Sequence, residues 1–364
     1  MSAVGDVLRL EIARAGAISF ARFMALALYH PDAGYYERDE PVTGRSGDFY
    51  TSVSVGPLFG ELLAERFARW LSGLPEGPVQ VVEAGAHDGR LAADLLGHWE
   101  ARWPQLFDRL EYILIEPSRR RCGWQARRLG RFGQRIRWFP DLAALSPAGI
   151  RGVVFGNELL DALPVHRLEW DASQRRWFER GVGYDGQRFR WIRLDSTTSP
   201  VGWVEPNVPE GLADVLPDGY CLEACPEADR WWAHAAQTLQ RGWLVAIDYG
   251  LTGAERFAPE RARGTLRAYR RHQLVDDLLA DPGEQDLTAH VDFERVMAIG
   301  EGAGLTTEGL WPQGVWLTRV VAELEAEATS GWAWTAVRRR QLLTLTHPQH
   351  LGRAFRVLVQ HRSP

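Results

Sequence analysis

Three stretches of the chain combine residue types that could hold a nucleoside-bearing ligand. The first is Glu83-Ala84-Gly85-Ala86-His87-Asp88-Gly89-Arg90-Leu91. It follows the β-rich run Val79-Gln80-Val81-Val82 and precedes an apolar-periodic segment, Leu91 to Trp99, so the chain turns here from strand to helix. Gly85 and Gly89 permit close backbone approach of a ligand to the helix N-terminus. Glu83, Gly85, Ala86, His87 and Gly89 are the candidate contacts of this turn. A glycine turn at this place also serves packing alone in many α/β proteins. The second feature is Glu116, 31 residues after Gly85 at the end of the run Tyr112-Ile113-Leu114-Ile115. An acid at that point can accept both hydroxyl protons of a ribose. These two features do not by themselves separate a dinucleotide from S-adenosylmethionine (SAM). The pyrophosphate pattern G-x-G-x-x-G is missing, and His87 stands where a middle glycine would. A turn that need not admit a pyrophosphate is more consistent with SAM.

The third stretch is Gly156-Asn157-Glu158-Leu159-Leu160-Asp161-Ala162-Leu163-Pro164. Asn157 can bond a ligand through its amide and its carbonyl together. Glu158 and Asp161 are three apart and would share a face of a helical turn. Paired carboxylates there could hold a cationic substrate; acids placed to suit a helix dipole are the structural alternative. Asp48, in the glycine-hinged loop GRSGDFYTS, is a third candidate acid, suited to a substrate gate, with an N-capping or turn role as the equal alternative. Tyr50 and Thr51 of the same loop could line the donor pocket. Glu158, Asp161 and Asp48 are thus the candidate catalytic acids.

The elements that must position these residues alternate. Strand-like runs are expected at Val79–Glu83, Tyr112–Glu116, Ile136–Phe139, Gly152–Gly156 and Gly242–Ile247, with helical segments between them. That pattern indicates a doubly wound α/β sheet, which binds ligands at the carboxyl ends of its strands. Helices are expected at Ile18–Tyr29, from Ser54–Pro57 to Leu71, and over Val291–Gly304. Strands are expected at Leu305–Leu310 and Val315–Val320. Residues 166–225 alternate and are rich in Trp, with a hairpin turn at Tyr184-Asp185-Gly186. They predict an antiparallel sub-sheet over the sheet edge. The expected division is 1–75, an N-terminal helical segment with a lid loop; 76–165, the first half of the ligand-binding domain; 166–225, the β-rich insertion; and 226–364, the second half with a C-terminal extension.

Composition narrows the chemistry. The 364 residues include no Lys, so all 42 basic residues are Arg. Schiff-base, pyridoxal-anchoring and Walker A chemistry are excluded on that ground. A net charge of −5 argues against a protein with a broad nucleic-acid face. The runs Arg119–Arg121 and Arg338–Arg340 read as solvated helix faces. Arg267, Arg270, Arg271 and His272 could meet a ligand carboxylate, although a solvated basic helix face accounts for them as well. His290 reads as structural. Cys122, Cys221 and Cys225 are too sparse for a disulfide scaffold, and Cys221-x3-Cys225 lacks companions for a zinc site. No run of 18 apolar residues appears. Asp6 and Glu11 are unsuited to a transit peptide, so the expectation is a mature cytoplasmic protein from its first residue.

The chain also resembles the MidA family, which includes mitochondrial complex I assembly factor 7. The resemblance covers nearly the whole length. It is carried by ISFARFMALALYHPDAGYY, GDFYTS with PLFGELLAERFARW, VVEAGAHDGRLAADLL, NELLDALPVHR, AIDYG, GTLRAYRRHQ and PGEQDLTAHVDF. It implies a class I SAM-dependent methyltransferase fold, Rossmann-like, with sheet order 3-2-1-4-5-7-6 and strand 7 antiparallel. It implies SAM contacts at Gly85, Gly89 and Glu116, adenine near Asp141 and Leu142, and Asn157 beside the methyl donor. The family's best-described activity is arginine dimethylation on a respiratory complex I subunit, with a role in its assembly; for this chain the resemblance implies arginine methylation on a protein and leaves the acceptor open. A SAM-binding assembly factor without catalysis and a small-molecule methyltransferase are the alternatives. The family motif E-x-G-x-G-x-G departs here at His87, whose side chain must point away from SAM or stack near it.

Overall fold

A computed structural model describes residues 2–38, 51–145, 149–194, 206, 208–271, 273–326 and 332–363. Asp48, Tyr50 and His272, named above, lie outside the described residues. The chain forms two compact units. One comprises Met1–Phe49, Asp161–Arg230 and Leu251–Glu294; the other comprises Tyr50–Leu160, Trp231–Gly250 and Arg295–Pro364. Both are discontinuous, whereas the expected division was serial.

The second unit is built on a seven-stranded path: β1 (Val79–Ala84), β2 (Leu110–Ile115), β3 (Ile136–Phe139), β4 (Ile150–Asn157), β5 (Leu239–Leu251), β6 (Thr306–Pro312) and β7 (Phe355–Arg362). Their spatial order is β3-β2-β1-β4-β5-β7-β6. Neighbouring strands from β3 to β5 pair in parallel. β7 runs antiparallel to both β5 and β6. This is the expected 3-2-1-4-5-7-6 sheet, an α/β Rossmann-like methyltransferase architecture.

Helices α1 (Leu58–Ser72), α2 (Arg90–Arg102), α3 (Arg119–Leu129) and α4 (Gln313–Ala326) belong to the same unit. Leu58, Leu62, Phe67 and Leu71 recur at helical spacing on α1 and are fully buried. They share a core with Leu95 and Trp99 of α2 and with Val81, Tyr112, Phe155, Val245 and Val357 of alternate strand positions. The strands are apolar nearly throughout because they are buried on both faces. One expected strand is corrected: Val315–Val320 lies inside α4. Trp316, Leu317, Val320, Val321 and Leu324 are buried there, a helical rather than an alternating pattern.

The first unit carries an antiparallel sheet from the insertion. Arg176–Tyr184 pairs with His166–Asp171, Phe189–Arg193 and Ile18–Ser19, and Cys221–Ala224 pairs with His166–Asp171. A second, three-stranded sheet holds Arg267–Arg270, Gln273–Val275 and Asp286–Thr288. The basic segment from Arg267 is thus a strand rather than a helix face, and Arg270 pairs with Asp281. The helix Phe20–Tyr29, capped by Ser19, buries Phe20, Phe23 and Met24 in this unit's core with Val182 and Leu287. Among the described residues no helix is long and apolar enough to cross a membrane.

Candidate functional site at the carboxyl ends of the parallel strands

The turn after β1 holds three residues in the left-handed region: Gly85 (φ 75°), His87 (φ 47°) and Gly89 (φ 80°). His87 therefore keeps the backbone conformation that a glycine adopts freely, at the modest cost a non-glycine residue incurs there. Its ring lies 6.0 Å from that of Trp124, and its Nε2 is buried without a hydrogen-bond partner among the described residues. Burial pushes the imidazole down, against the pull of the Asp88 carboxylate, so the ring is neutral at physiological pH. Asp88 closes the turn by accepting from the Arg90 N–H at 3.0 Å. Ala86 is buried, and its carbonyl accepts from the Gly89 N–H at 2.7 Å.

Glu83 is buried at the end of β1, where Oε2 meets the fully buried Tyr112 hydroxyl at 2.5 Å. Burial pushes its carboxyl up to about 8, opposed by the Tyr112 hydrogen bond and assisted by Asp88. The unfolded chain releases this proton near 4.5, whereas the folded chain retains it up to about 8. Folding stability contributed here is complete below about pH 4.5 and is lost as pH rises through that window. The slope is about 1.4 kcal/mol per pH unit. Glu83→Gln is expected to remove this decline. Urea midpoints at pH 5 and pH 8.5 check it: the wild type should lose several kcal/mol more than the variant, and parallel losses would contradict the assignment.

Glu116 follows β2 and is 4% exposed. Its Oε1 accepts from the Ser118 N–H and from Arg121 Nε, both at 2.9 Å, and its Oε2 accepts from Gln125 Nε2 at 3.1 Å. Burial raises the carboxyl and Arg121 opposes that rise. Arg121 was expected on a solvated face, yet it is buried, because it is the counter-ion of this acid. Each carboxylate oxygen can take about two donors, so Oε2 retains capacity for one more. After β3, Asp141 Oδ1 caps the next turn by accepting from the Ala144 N–H at 2.9 Å, and Leu142 beside it is buried.

After β4 the chain does not form a helical turn. Glu158 is left-handed (φ 52°), and its N–H donates to the Ile247 carbonyl at 2.9 Å. Asp248 at the carboxyl end of β5 accepts from the N–H groups of Leu159 and Leu160 at 3.1 and 2.8 Å. The left-handed backbone at Glu158 breaks any helix there, which is why Glu158 and Asp161 do not share a helix face. Asp161 falls in the other unit, where its carbonyl accepts from the Ala289 N–H and its side chain is buried. Asn157 Nδ2 donates to Glu158 Oε1 at 3.1 Å, while Asn157 Oδ1 is buried without a partner among the described residues. This segment packs against the glycine turn: a Cβ on Gly85 would meet Leu159 Cδ1 at 3.0 Å. Thr51 exchanges hydrogen bonds with Ser54 at the start of a short turn, a local role.

The site so assembled has an acidic acceptor at Glu116, an orphaned amide oxygen at Asn157 and an exposed glycine backbone at Gly85. A ligand bearing hydroxyl and ammonium donors fits that set. Asp248, Gln125 and Trp138 take part and were not singled out from sequence; for Asp248 the signal was available, since it too is an acid at the end of a parallel strand.

Comparison with known proteins agrees with this chemistry. The family described as "Putative S-adenosyl-L-methionine-dependent methyltransferase" matches residues 62–311. A solved Burkholderia thailandensis protein with S-adenosyl-homocysteine bound is 32% identical, with a TM-score of 0.82 over 99% of this chain and 92% of that one. The mitochondrial protein arginine methyltransferase NDUFAF7 of Mus musculus is 28% identical over 96% of this chain and 82% of its own length. Its Drosophila melanogaster homologue, also named a mitochondrial protein arginine methyltransferase, is 29% identical over 96% and 83%. Both of these relatives are mitochondrial, which overturns the expected cytoplasmic location. With this sheet order and this match, the chain belongs to the S-adenosyl-L-methionine-dependent methyltransferase family and uses SAM as its cofactor.

Proposed function

We propose that this enzyme methylates an arginine side chain of a protein, with Glu158 orienting the guanidinium. The observation that carries the reading is the conformation of Glu158. It is held left-handed at the end of β4 with its carboxylate bonded to Asn157, on the segment that packs against Gly85. The names of the relatives as protein arginine methyltransferases support the choice of acceptor. The resemblance to complex I assembly factors supports a respiratory-complex subunit as the acceptor protein.

In this reading SAM lies on the turn of Glu83, Gly85, Ala86, His87 and Gly89, with its ribose at Glu116 and its adenine near Asp141 and Leu142. Asn157 Oδ1 accepts from the ammonium group. Bound SAM supplies a methyl group on a sulfonium, so the chain must hold a nucleophile in line with it. Neutralising an arginine at pH 7 costs about 8 kcal/mol, so a carboxylate that fixes the fork and offsets retained charge is the useful partner.

Glu158→Gln is expected to keep the SAM dissociation constant within about three-fold and to lower turnover by about 100-fold or more. The assay is transfer of labelled methyl from SAM into a cell lysate, followed by acid hydrolysis and separation of methylated amino acids. Label in methylarginine supports the proposal, and label elsewhere, or full turnover by the variant, defeats it.

A further inference from the structure

On α3, Arg121, Gln125 and Arg128 stand at positions i, i+4 and i+7 and therefore on one face. All three donate to the two segments that flank the candidate cofactor site. Arg121 Nε reaches Glu116 Oε1 at 2.9 Å, and Arg128 Nε reaches the Asp88 carbonyl at 3.1 Å. Gln125, fully buried, touches both segments: its Nε2 donates to the His87 carbonyl at 3.0 Å and to Glu116 Oε2 at 3.1 Å. Its Oε1 accepts from the Trp138 indole N–H on β3 at 2.9 Å. An indole N–H only donates, and carbonyl and carboxylate oxygens only accept, so the amide has one chemically consistent orientation. The helix also lies directly on the turn, since a Cβ on Gly89 would stand 3.4 Å from Gln125 Cα.

We infer that Gln125, oriented by Trp138, is a positioning residue that sets the register between the glycine turn and the Glu116 carboxylate, and through it the affinity for SAM. This rests on the reading that those two segments hold SAM. The turn and Glu116 belong to different strand–helix connections, and one side chain ties them together. Its bond pins the peptide plane after His87. Its second bond holds Oε2 of Glu116 in one direction, which leaves the other lone pair where a hydroxyl can reach it.

The test measures SAM binding by calorimetry at pH 7 and pH 9 for the wild type and for Gln125→Ala, Gln125→Glu and Trp138→Phe, with a melting temperature for each. Losing a hydrogen bond to a charged group in Gln125→Ala should weaken binding about ten- to a hundred-fold. Gln125→Glu keeps shape but places a second carboxylate beside Glu116. The charged and titratable groups facing it are Glu116, Arg121, Arg128, His87 and Asp88. Two carboxylates side by side share a proton more readily at the lower pH and repel each other more at the higher one. Binding by this variant, relative to the wild type at the same pH, should therefore fall at least about ten-fold further at pH 9 and recover on return to pH 7. A residue that merely supports the helix would lower the melting temperature without that reversible pH dependence. Trp138→Phe should weaken binding a few-fold at both pH values. If Gln125→Ala does not fold, the pH ratio of Gln125→Glu decides. Binding within about two-fold of wild type at both pH values for the Gln125 variants overturns the inference. Glu116→Gln, measured alongside, separates the two claims. Lost binding there with intact Gln125 variants sinks the positioning role alone, and intact binding by all sinks the cofactor reading beneath it.

Discussion

Glu116→Gln is expected to weaken SAM binding by at least about 100-fold, the largest loss of affinity for a single substitution in this chain. The amide oxygen of the variant must face the Ser118 N–H and Arg121, both donors, as Oε1 does in the wild type. Its NH2 group is then turned toward Gln125 Nε2, donor against donor, at the position where the ribose hydroxyls need an acceptor. One charge-assisted hydrogen bond of about 1.5–3 kcal/mol is lost and an NH2 group turned on the ribose adds about 1–3 kcal/mol, so about 100-fold is the lower end. The buried Arg121 guanidinium keeps a neutral acceptor, so the variant should fold, whereas Glu116→Ala removes its carboxylate counter-ion and costs about 3–5 kcal/mol of stability. Protonation of the wild-type carboxyl should act like the amide. Because burial has raised Glu116, SAM affinity should begin to fall above the ordinary carboxylate range as pH is lowered. Calorimetry with SAM over a pH series checks both statements. A variant that binds within about three-fold of the wild type would remove Glu116 from the site.

The placement of Glu116 was legible in the sequence because it is topological: the apolar run Tyr112–Ile115 ends at this acid, and the structure puts it, buried, directly after β2. The five parallel strands were legible for a related cause. Burial on both faces makes the inner ones, β1, β2, β4 and β5, largely apolar runs, whereas the edge strand β3 is only partly buried. The same reasoning misread residues 315–320, where β-branched and aromatic residues within six positions imitate a strand; the helical spacing shows only when Leu324 is included. β7 went unread because the buried Gln360 interrupts its apolar pattern. That glutamine is satisfied from three sides, by the Trp232 indole, the Met297 carbonyl and the Thr307 hydroxyl, none of them adjacent in sequence. Gln125 is hidden in the same way, since its partners come from a turn, a strand end and β3. Buried amides acquire meaning only from the donors and acceptors that tertiary structure brings to them. The Glu158–Asp161 pair failed for the opposite reason: spacing implied a helical face, but Glu158 is left-handed, with its N–H on the Ile247 carbonyl and the next two amides on the Asp248 carboxylate, 87 residues beyond Asp161.

Removing that carboxylate should therefore have effects out of proportion to its distance in sequence. Asp248 is 1% exposed and accepts three backbone N–H groups: Leu159 and Leu160 on Oδ2, and Tyr249 on Oδ1 at 2.8 Å. Asp248→Ala leaves these donors without their acceptor. At about 1–3 kcal/mol for each unsatisfied group, the loss is about 3–9 kcal/mol, a large share of the 5–15 kcal/mol typical of a folded domain. Asp248→Asn should cost about a third as much. Its oxygen can serve Leu159 and Leu160, and of these three donors the Tyr249 N–H then faces an NH2 group. The functional consequence follows from what the two amides hold in place. Leu159 fills the space over Gly85 and Gly156, and Glu158 depends on this anchorage for its left-handed backbone. Loosening it leaves the Glu116 side of the site intact, so turnover in Asp248→Asn should fall at least ten times more than SAM affinity does. Urea unfolding of both variants, with turnover and calorimetric SAM affinity for the asparagine variant, measures each part. If the alanine variant loses less than about 1 kcal/mol, the loop amides have other acceptors and the anchoring role fails. If affinity and turnover fall in equal proportion, the 158–160 segment serves binding rather than the positioning of Glu158.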